Sequence, residues 1–356
     1  LDFHEPIRGR LDHPLRVLII RVGAMGDILH ALPAVTALRN SMPGCYLGWA
    51  VEPKWQPLLQ AEGVGSVVDK VHPVFARDWK EKPVSLRTLR QILNLRREMK
   101  AEQYDLCVDL QGSIRSAVIG RMASAERFVG SSRPREQQAR ALYSECVSVQ
   151  AKHVVAQACE LLSGALRDGW ALGAMPITLP VDAAAERWAD SMAMDRFVML
   201  APTAGWGAKE WPRKKFGDLA SALMEQGLRV LVNSGAGASD AAQQVIERSG
   251  AQAIQCGLAE LIALTRRATL VVGGDTGPVQ LAAALGRPVV ALFGPTEPER
   301  TGPQMFHSSK PAQNVTVIRS PHSMVDHRRH AATEAGLAQI TVEDVVAAAL
   351  RQLGMT

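Results

Sequence analysis

No run of about 18 uncharged apolar residues occurs in this 356-residue chain, so no segment reads as a membrane-spanning helix. Leu1 to Pro14 is charged throughout, where an export signal carries an apolar stretch, and no such signal is expected there. Five cysteines (Cys45, Cys107, Cys146, Cys159 and Cys256) are widely spaced and odd in number, which excludes a zinc-ligand or redox pair and suits a reducing compartment. Aromatic residues are scarce at 5%, and no Asp-x-Asp pair occurs to hold a divalent cation. The formal charge of +5 is too small to identify a nucleic-acid binder, although it suits anionic ligands.

Hydrophobic residues make up 47% of the chain, and Ala, Leu, Val and Gly recur throughout, a mix that suits helices packed on buried sheets. The length exceeds what one core usually organises, so two domains are expected. Strand and helix patterns alternate from end to end. The first half reads as strands 16–21, 45–51 and 106–110 with helices 27–40, 84–100 and 154–166. Met175 to Pro180 carries two prolines and reads as a linker. The second half repeats the alternation, with strands 197–201, 229–233, 270–273 and 289–293 and helices 214–226, 238–249, 259–268 and 278–285. The expected domains are 1–178 and 179–340, with a last helix in 341–356 packing back toward the N-terminal domain and a ligand cleft between the halves.

Three segments could carry chemistry. In Arg21-Val-Gly-Ala-Met-Gly-Asp27 a strand runs through Gly23 and Gly26 into a helix start. Asp27 there could deprotonate a hydroxyl as general base, or simply cap the helix. A dinucleotide fingerprint competes for this loop, with Glu52 as its ribose acid, but the three-glycine pattern is incomplete. In Leu270-Val-Val-Gly-Gly-Asp275-Thr-Gly-Pro-Val-Gln280 a glycine-rich turn meets a helix whose first residues include Pro278, and free amides there suit a diphosphate. The loop Ala201-Pro-Thr203 through Lys209-Glu-Trp211-Pro212 offers a hydroxyl and a cation able to neutralise a departing diphosphate, with Trp211 implying a packed loop.

Two further stretches are basic. Helix 84–100 sets Leu86, Leu89, Ile92 and Leu93 on one side and Arg87, Arg90 and Arg97 on another, the pattern of a surface helix or of a bilayer contact. His322, His327 and His330 with Asp326 read as a solvated basic loop, since Arg328 and Arg329 would repel a metal ion.

Together these segments resemble glycosyltransferase family 9, the ADP-heptose:lipopolysaccharide heptosyltransferases. The most specific elements are Gly26-Asp27, Asp275-Thr-Gly-Pro and Phe293-Gly-Pro-Thr296, while Asp109-Leu-Gln-Gly-Ser-Ile-Arg115 with Arg135-Glu136 and Tyr143 looks most like heptosyltransferase I. The resemblance implies an α/β GT-B fold, two Rossmann-like domains facing each other across a cleft, acceptor on the first and nucleotide sugar on the second. It implies Asp27 as catalytic base and Thr203, Lys209, Asp275, Thr276, Gly277 and Gln280 as donor-binding residues. Gln111, Gly112, Arg115 and Arg135 are the implied acceptor-binding residues. It also implies ADP-heptose as donor, a lipid-linked Kdo-bearing acceptor, no required cofactor or metal, no nucleic acid, and a cytoplasmic setting that allows peripheral contact with the inner membrane. Gln280 stands where the family commonly has His, and Asp240 is the nearest candidate for the ribose-binding acid expected after Ser234-Gly-Ala-Gly237. A relative with another donor or acceptor, a non-catalytic nucleotide-sugar binder and a nicotinamide dehydrogenase are the alternative readings.

Overall fold

The computed structural model describes residues 13–61, 65–167, 171–193, 195–235, 240–305, 314–326 and 328–355. Two compact units divide the chain, Leu1–Met175 and Pro176–Thr356, each built on a six-stranded sheet whose strand pairs are all parallel.

The strands of the first unit are β1 (Arg16–Ile20), β2 (Tyr46–Val51), β3 (Lys70–Pro73), β4 (Leu106–Asp109), β5 (Arg127–Ser131) and β6 (Glu145–Val147), in the spatial order β3-β2-β1-β4-β5-β6. Those of the second are β7 (Phe197–Ala201), β8 (Arg229–Asn233), β9 (Gln252–Ile254), β10 (Leu270–Gly274), β11 (Val289–Phe293) and β12 (Val315–Arg319), in the order β12-β11-β10-β7-β8-β9. Each is the doubly wound Rossmann order, in which the chain leaves its first strand, winds outward one way, then returns to the middle and winds the other. The central strands are apolar without alternation, as in Val17 to Ile20, Phe197 to Ala201 and Val289 to Phe293, because helices cover both faces of a parallel sheet.

Most of the strands missing from the sequence reading share one cause. Four of the five, β3, β6, β9 and β12, are the outer edges of the two sheets, and their residues are largely half-buried or exposed. A strand covered on one side only leaves no continuous apolar run to detect. The fifth, β5, is interrupted by Gly130, which leaves room for the Tyr143 ring. Part of the expected helix 238–249 lies outside the described residues; the helix runs over Asp240–Ser249.

Two expectations need correcting or restating. In helix Leu86–Ala101 the residues turned to the core are Thr88, Leu95 and Met99, while Leu86, Leu89 and Leu93 are exposed beside the arginines, so the apolar side is not the packed side. The last helix, Val342–Leu353, contributes Val345, Ala348 and Ala349 to the core of the second unit, against β10, β11 and helix Arg213–Glu225.

One buried polar pair ties the first unit's stability to pH. His72, fully buried on β3, hydrogen-bonds through Nε2 to the Tyr104 hydroxyl at 2.7 Å, and that hydroxyl occupies the space a side chain at Gly48 would need. Burial pushes the His72 pKa down to about 4. The unfolded chain binds this proton near pH 6.5, so stability is lost as pH falls from about 6.5 toward 4, by about 3 kcal/mol at most. Melting followed from pH 7.5 to 4.5 should therefore show a smaller drop in Tm for His72→Gln than for the wild-type chain. Equal slopes would mean that this ring does not couple folding to protons.

Candidate active site

In a doubly wound sheet the two central strands send their chains to opposite faces, and a crevice opens beyond their carboxyl ends. In the first unit these strands are β1 and β4, paired with Ile20 opposite Asp109. The loop after β1 leads into helix Met25–Ser41, whose N-cap is Ala24. Asp27 is therefore not the cap itself. It stands in the first turn, and its Oδ2 accepts the Ala24 amide at 3.1 Å while Oδ1 pairs with Arg21 Nη2 at 2.9 Å. The side chain nevertheless stays 45% exposed. Burial acts to raise the Asp27 pKa, but the Arg21 charge, the Ala24 amide and the His30 ring together outweigh it and hold the carboxyl below its ordinary value.

The loop after β4 supports that arrangement. Asp109 is buried, its Oδ1 accepting the amides of Gln111 (2.8 Å) and Gly112 (3.1 Å) and its Oδ2 the hydroxyls of Ser116 (2.8 Å) and Tyr143 (2.9 Å). Burial raises the Asp109 pKa, and these four donors offset it only in part. The loop shaped in this way reaches across to β1: Gln111 Oε1 accepts the Val22 amide at 2.8 Å, and the Leu110 carbonyl accepts from Arg21 Nη1. Gly112 has a φ of +68°, and a Cβ there would lie 2.9 Å from the Arg135 amide nitrogen. Gln111 and Gly112 thus make framework contacts, whereas Arg115 and Arg135 are exposed.

In the second unit the central strands are β7 and β10, with Ala201 opposite Gly273. Here the two predicted loops converge. Lys209 Nζ lies 2.5 Å from Asp275 Oδ2, which also accepts the Thr296 hydroxyl at 2.9 Å. Gln280 Nε2 donates to the Thr301 carbonyl at 2.7 Å and approaches Asp275 Oδ1 at 3.4 Å. Close packing of the Lys209 loop against β10 requires Gly274, where a Cβ would meet the Lys209 carbonyl oxygen at 2.7 Å. Thr276 caps helix Gly277–Ala284 from extended backbone, and its buried hydroxyl has no hydrogen-bond partner. Thr203 is half-buried at the start of the β7 loop. Trp211 is buried as expected, its indole donating to the Ile340 carbonyl at 3.1 Å.

The stretch expected to be a solvated basic loop is not merely solvated. His327 lies outside the described residues, but around it the chain braces the Lys209 loop. The His330 carbonyl accepts the Ala208 amide at 3.0 Å, the Glu334 amide donates to the Ala208 carbonyl at 3.2 Å, and Thr333 Oγ1 donates to the Glu210 carbonyl at 2.9 Å. Gly207 is glycine because the Ala331 carbonyl oxygen takes the Cβ position, at 1.7 Å. This docking sets Arg329 5.5 Å from the centre of the Trp206 ring, which also has Lys209 Nζ at 5.1 Å. The roles of Arg21, Thr296, Trp206 and Arg329 were not assigned from sequence. Arg21 could have been singled out as the last cation before the β1 turn, whereas the approach of Arg329 to Trp206 has no local signature. The expected ribose acid, Asp240, begins helix Asp240–Ser249, and residues 236–239 of the glycine-containing loop before it lie outside the described residues.

Sequence and fold are both shared with known proteins. The pattern of glycosyltransferase family 9 (heptosyltransferase) matches residues 92–334. The chain is 30% identical over 296 residues to lipopolysaccharide heptosyltransferase 1 of Salmonella typhimurium, covering 81% of this chain and 91% of that protein. Among solved structures, Escherichia coli heptosyltransferase WaaC with ADP superposes with a TM-score of 0.74 at 26% identity, over 93% of this chain and 98% of that one. The E. coli ADP-heptose lipopolysaccharide heptosyltransferase II shares the fold, with a TM-score of 0.76 at 19% identity over 95% and 98% of the two chains. With two Rossmann-order sheets of the GT-B class and the family pattern matching residues 92–334, this chain belongs to glycosyltransferase family 9, the heptosyltransferases.

Proposed function

We propose that the chain transfers heptose from ADP-heptose to the Kdo-bearing lipid A inner core of lipopolysaccharide, inverting the anomeric centre, with Asp27 as general base. The observation that carries this reading is the Asp27 carboxylate, paired with Arg21 in the first helical turn after β1 yet open to solvent. The relatedness to WaaC, solved with ADP and with ADP-2-deoxy-2-fluoro heptose, supports the donor.

In this reaction the Asp27 carboxylate accepts the proton of an acceptor hydroxyl as that oxygen attacks the anomeric carbon. The bond from that carbon to the diphosphate oxygen breaks, and ADP departs with the electron pair. Because both carboxylate oxygens are already held, by Arg21 and by the Ala24 amide, little reorientation precedes proton transfer.

The departing diphosphate needs positive charge, and Lys209 supplies it. Without donor that charge faces Asp275. When the diphosphate draws the ammonium toward itself, Asp275 keeps the Thr296 hydroxyl, so it is not left bare. Thr276, with its unpartnered hydroxyl, and the first amides of helix Gly277–Ala284 complete the donor site. Arg115 and Arg135 are the acceptor-side cations, suited to carboxylates and phosphates. No resident metal enters this reading, because Lys209 and the helix amides meet the diphosphate charge. The acceptor is anchored in lipid, so the working enzyme meets it at the cytoplasmic face of the inner membrane.

Asp27→Asn should lower kcat by about 10²–10⁴-fold while ADP affinity in calorimetry stays near wild type; undiminished turnover in the purified variant would remove the base assignment. Lys209→Met should lower kcat by about 10²–10³-fold, and it should weaken ADP binding far more than Asp27→Asn does. Normal ADP affinity in that variant would sink the role of Lys209. With its pKa depressed, Asp27 stays ionised down to the acid side of the ordinary carboxylate value of about 3.9. Removing the Arg21 charge in Arg21→Met should move the acid limb of kcat/KM to higher pH, whereas Arg21→Lys should move it less. Coincident limbs in all three proteins would rule out Arg21 as the group that sets the charge state of Asp27.

A further inference from the structure

Helix Leu86–Ala101 turns its leucines away from the protein. Leu86 is 75% exposed, Leu89 and Leu93 are each 52% exposed, and Val84 in the preceding turn is 99% exposed. Contact with the first unit is made by Thr88, Leu95 and Met99 on the other side. The helix does not need the leucines for its start, because Ser85 Oγ caps the Thr88 amide at 3.0 Å. At about 100° per residue, Leu86, Leu89, Leu93, Arg90, Arg97 and Lys100 fall within an arc of about 100° opposite the packed side. The helix carries Arg87, Arg90, Arg96, Arg97 and Lys100 against a single acid, Glu98.

Three exposed leucines interleaved with long cations make a surface that water solvates poorly. A second copy of the same helix would bring Arg90, Arg97 and Lys100 against their own kind, so self-association is electrostatically opposed. An anionic bilayer satisfies both halves of the pattern. Its acyl boundary takes leucine side chains, while its headgroup phosphates take guanidinium and ammonium groups that reach outward along their apolar stems.

We infer that helix Leu86–Ala101 docks the protein on an anionic lipid bilayer, the leucines entering the headgroup–acyl boundary and the arginines pairing with lipid phosphates. This extends the reading of a lipid-linked acceptor and is tested apart from it.

Flotation of the full chain with phosphatidylglycerol/phosphatidylethanolamine vesicles, against pure phosphatidylcholine vesicles, provides the test. Wild-type protein should float with the anionic vesicles and not the neutral ones, and raised salt should weaken the association. A Leu86→Gln/Leu89→Gln/Leu93→Gln variant should bind anionic vesicles about tenfold less or weaker still, with an unchanged Tm because these side chains are exposed. An Arg90→Gln/Arg97→Gln variant should lose binding similarly and serves as the second probe if the leucine variant does not fold. The inference is overturned if wild-type protein ignores anionic vesicles, if both variants float like wild type, or if wild type is a dimer that the leucine variant converts to monomer. Transfer to a detergent-dispersed acceptor separates the two readings. Wild-type protein that floats but transfers nothing would retire the acceptor assignment and leave the docking surface standing.

Discussion

The candidate base and the candidate donor-site groups of this protein depend on one topological constraint. In each sheet the two central parallel strands are neighbours in space but send their chains to opposite faces, so the loops that follow them diverge and leave polar backbone and side chains uncovered at the carboxyl edge. In the first unit that edge carries Asp27 and the 110–112 loop. In the second it carries Lys209 and the 275–277 turn. Along the strands themselves, buried on both faces, a charged group would be enclosed by apolar neighbours.

The two edges treat their charges differently. At Asp27 the partner cation, Arg21, is itself largely buried and also spans to the Leu110 carbonyl, so the pair is part of the framework and the carboxylate remains ionised. At Lys209 the ammonium faces a carboxylate that has a second donor in Thr296, so Asp275 would keep a partner if the ammonium moved away. A fixed anion suits proton acceptance, and a transferable cation suits a leaving group whose charge grows during reaction.

Support for these edges comes from residues remote in sequence. Tyr143 and Ser116 hold Asp109, which shapes the loop whose Gln111 holds Val22, the neighbour of Arg21. In the second unit the segment from His330 to Glu334 braces the Lys209 loop and carries Arg329 to Trp206. The stretch from His322 to His330 that leads into it is polar and basic, a composition that reads as solvated. The bracing contacts depend on a glycine at position 207 that admits the Ala331 carbonyl.

The sequence by itself determined the alternation of strands and helices, the central strands, the helices whose apolar faces repeat with helical period, and the family through its glycine-rich turns. Those features are local: a buried strand and a strand-to-helix turn each need particular residues within a few positions. Only the tertiary structure decided the edge strands β3, β6, β9 and β12, since half-buried residues leave weak patterns, and the outward direction of Leu86, Leu89 and Leu93, since periodicity marks a face without saying what lies against it. It alone also decided the contacts of Gln111 with Val22 and of Arg329 with Trp206, because pairs that far apart along the chain meet only through sheet register and loop packing.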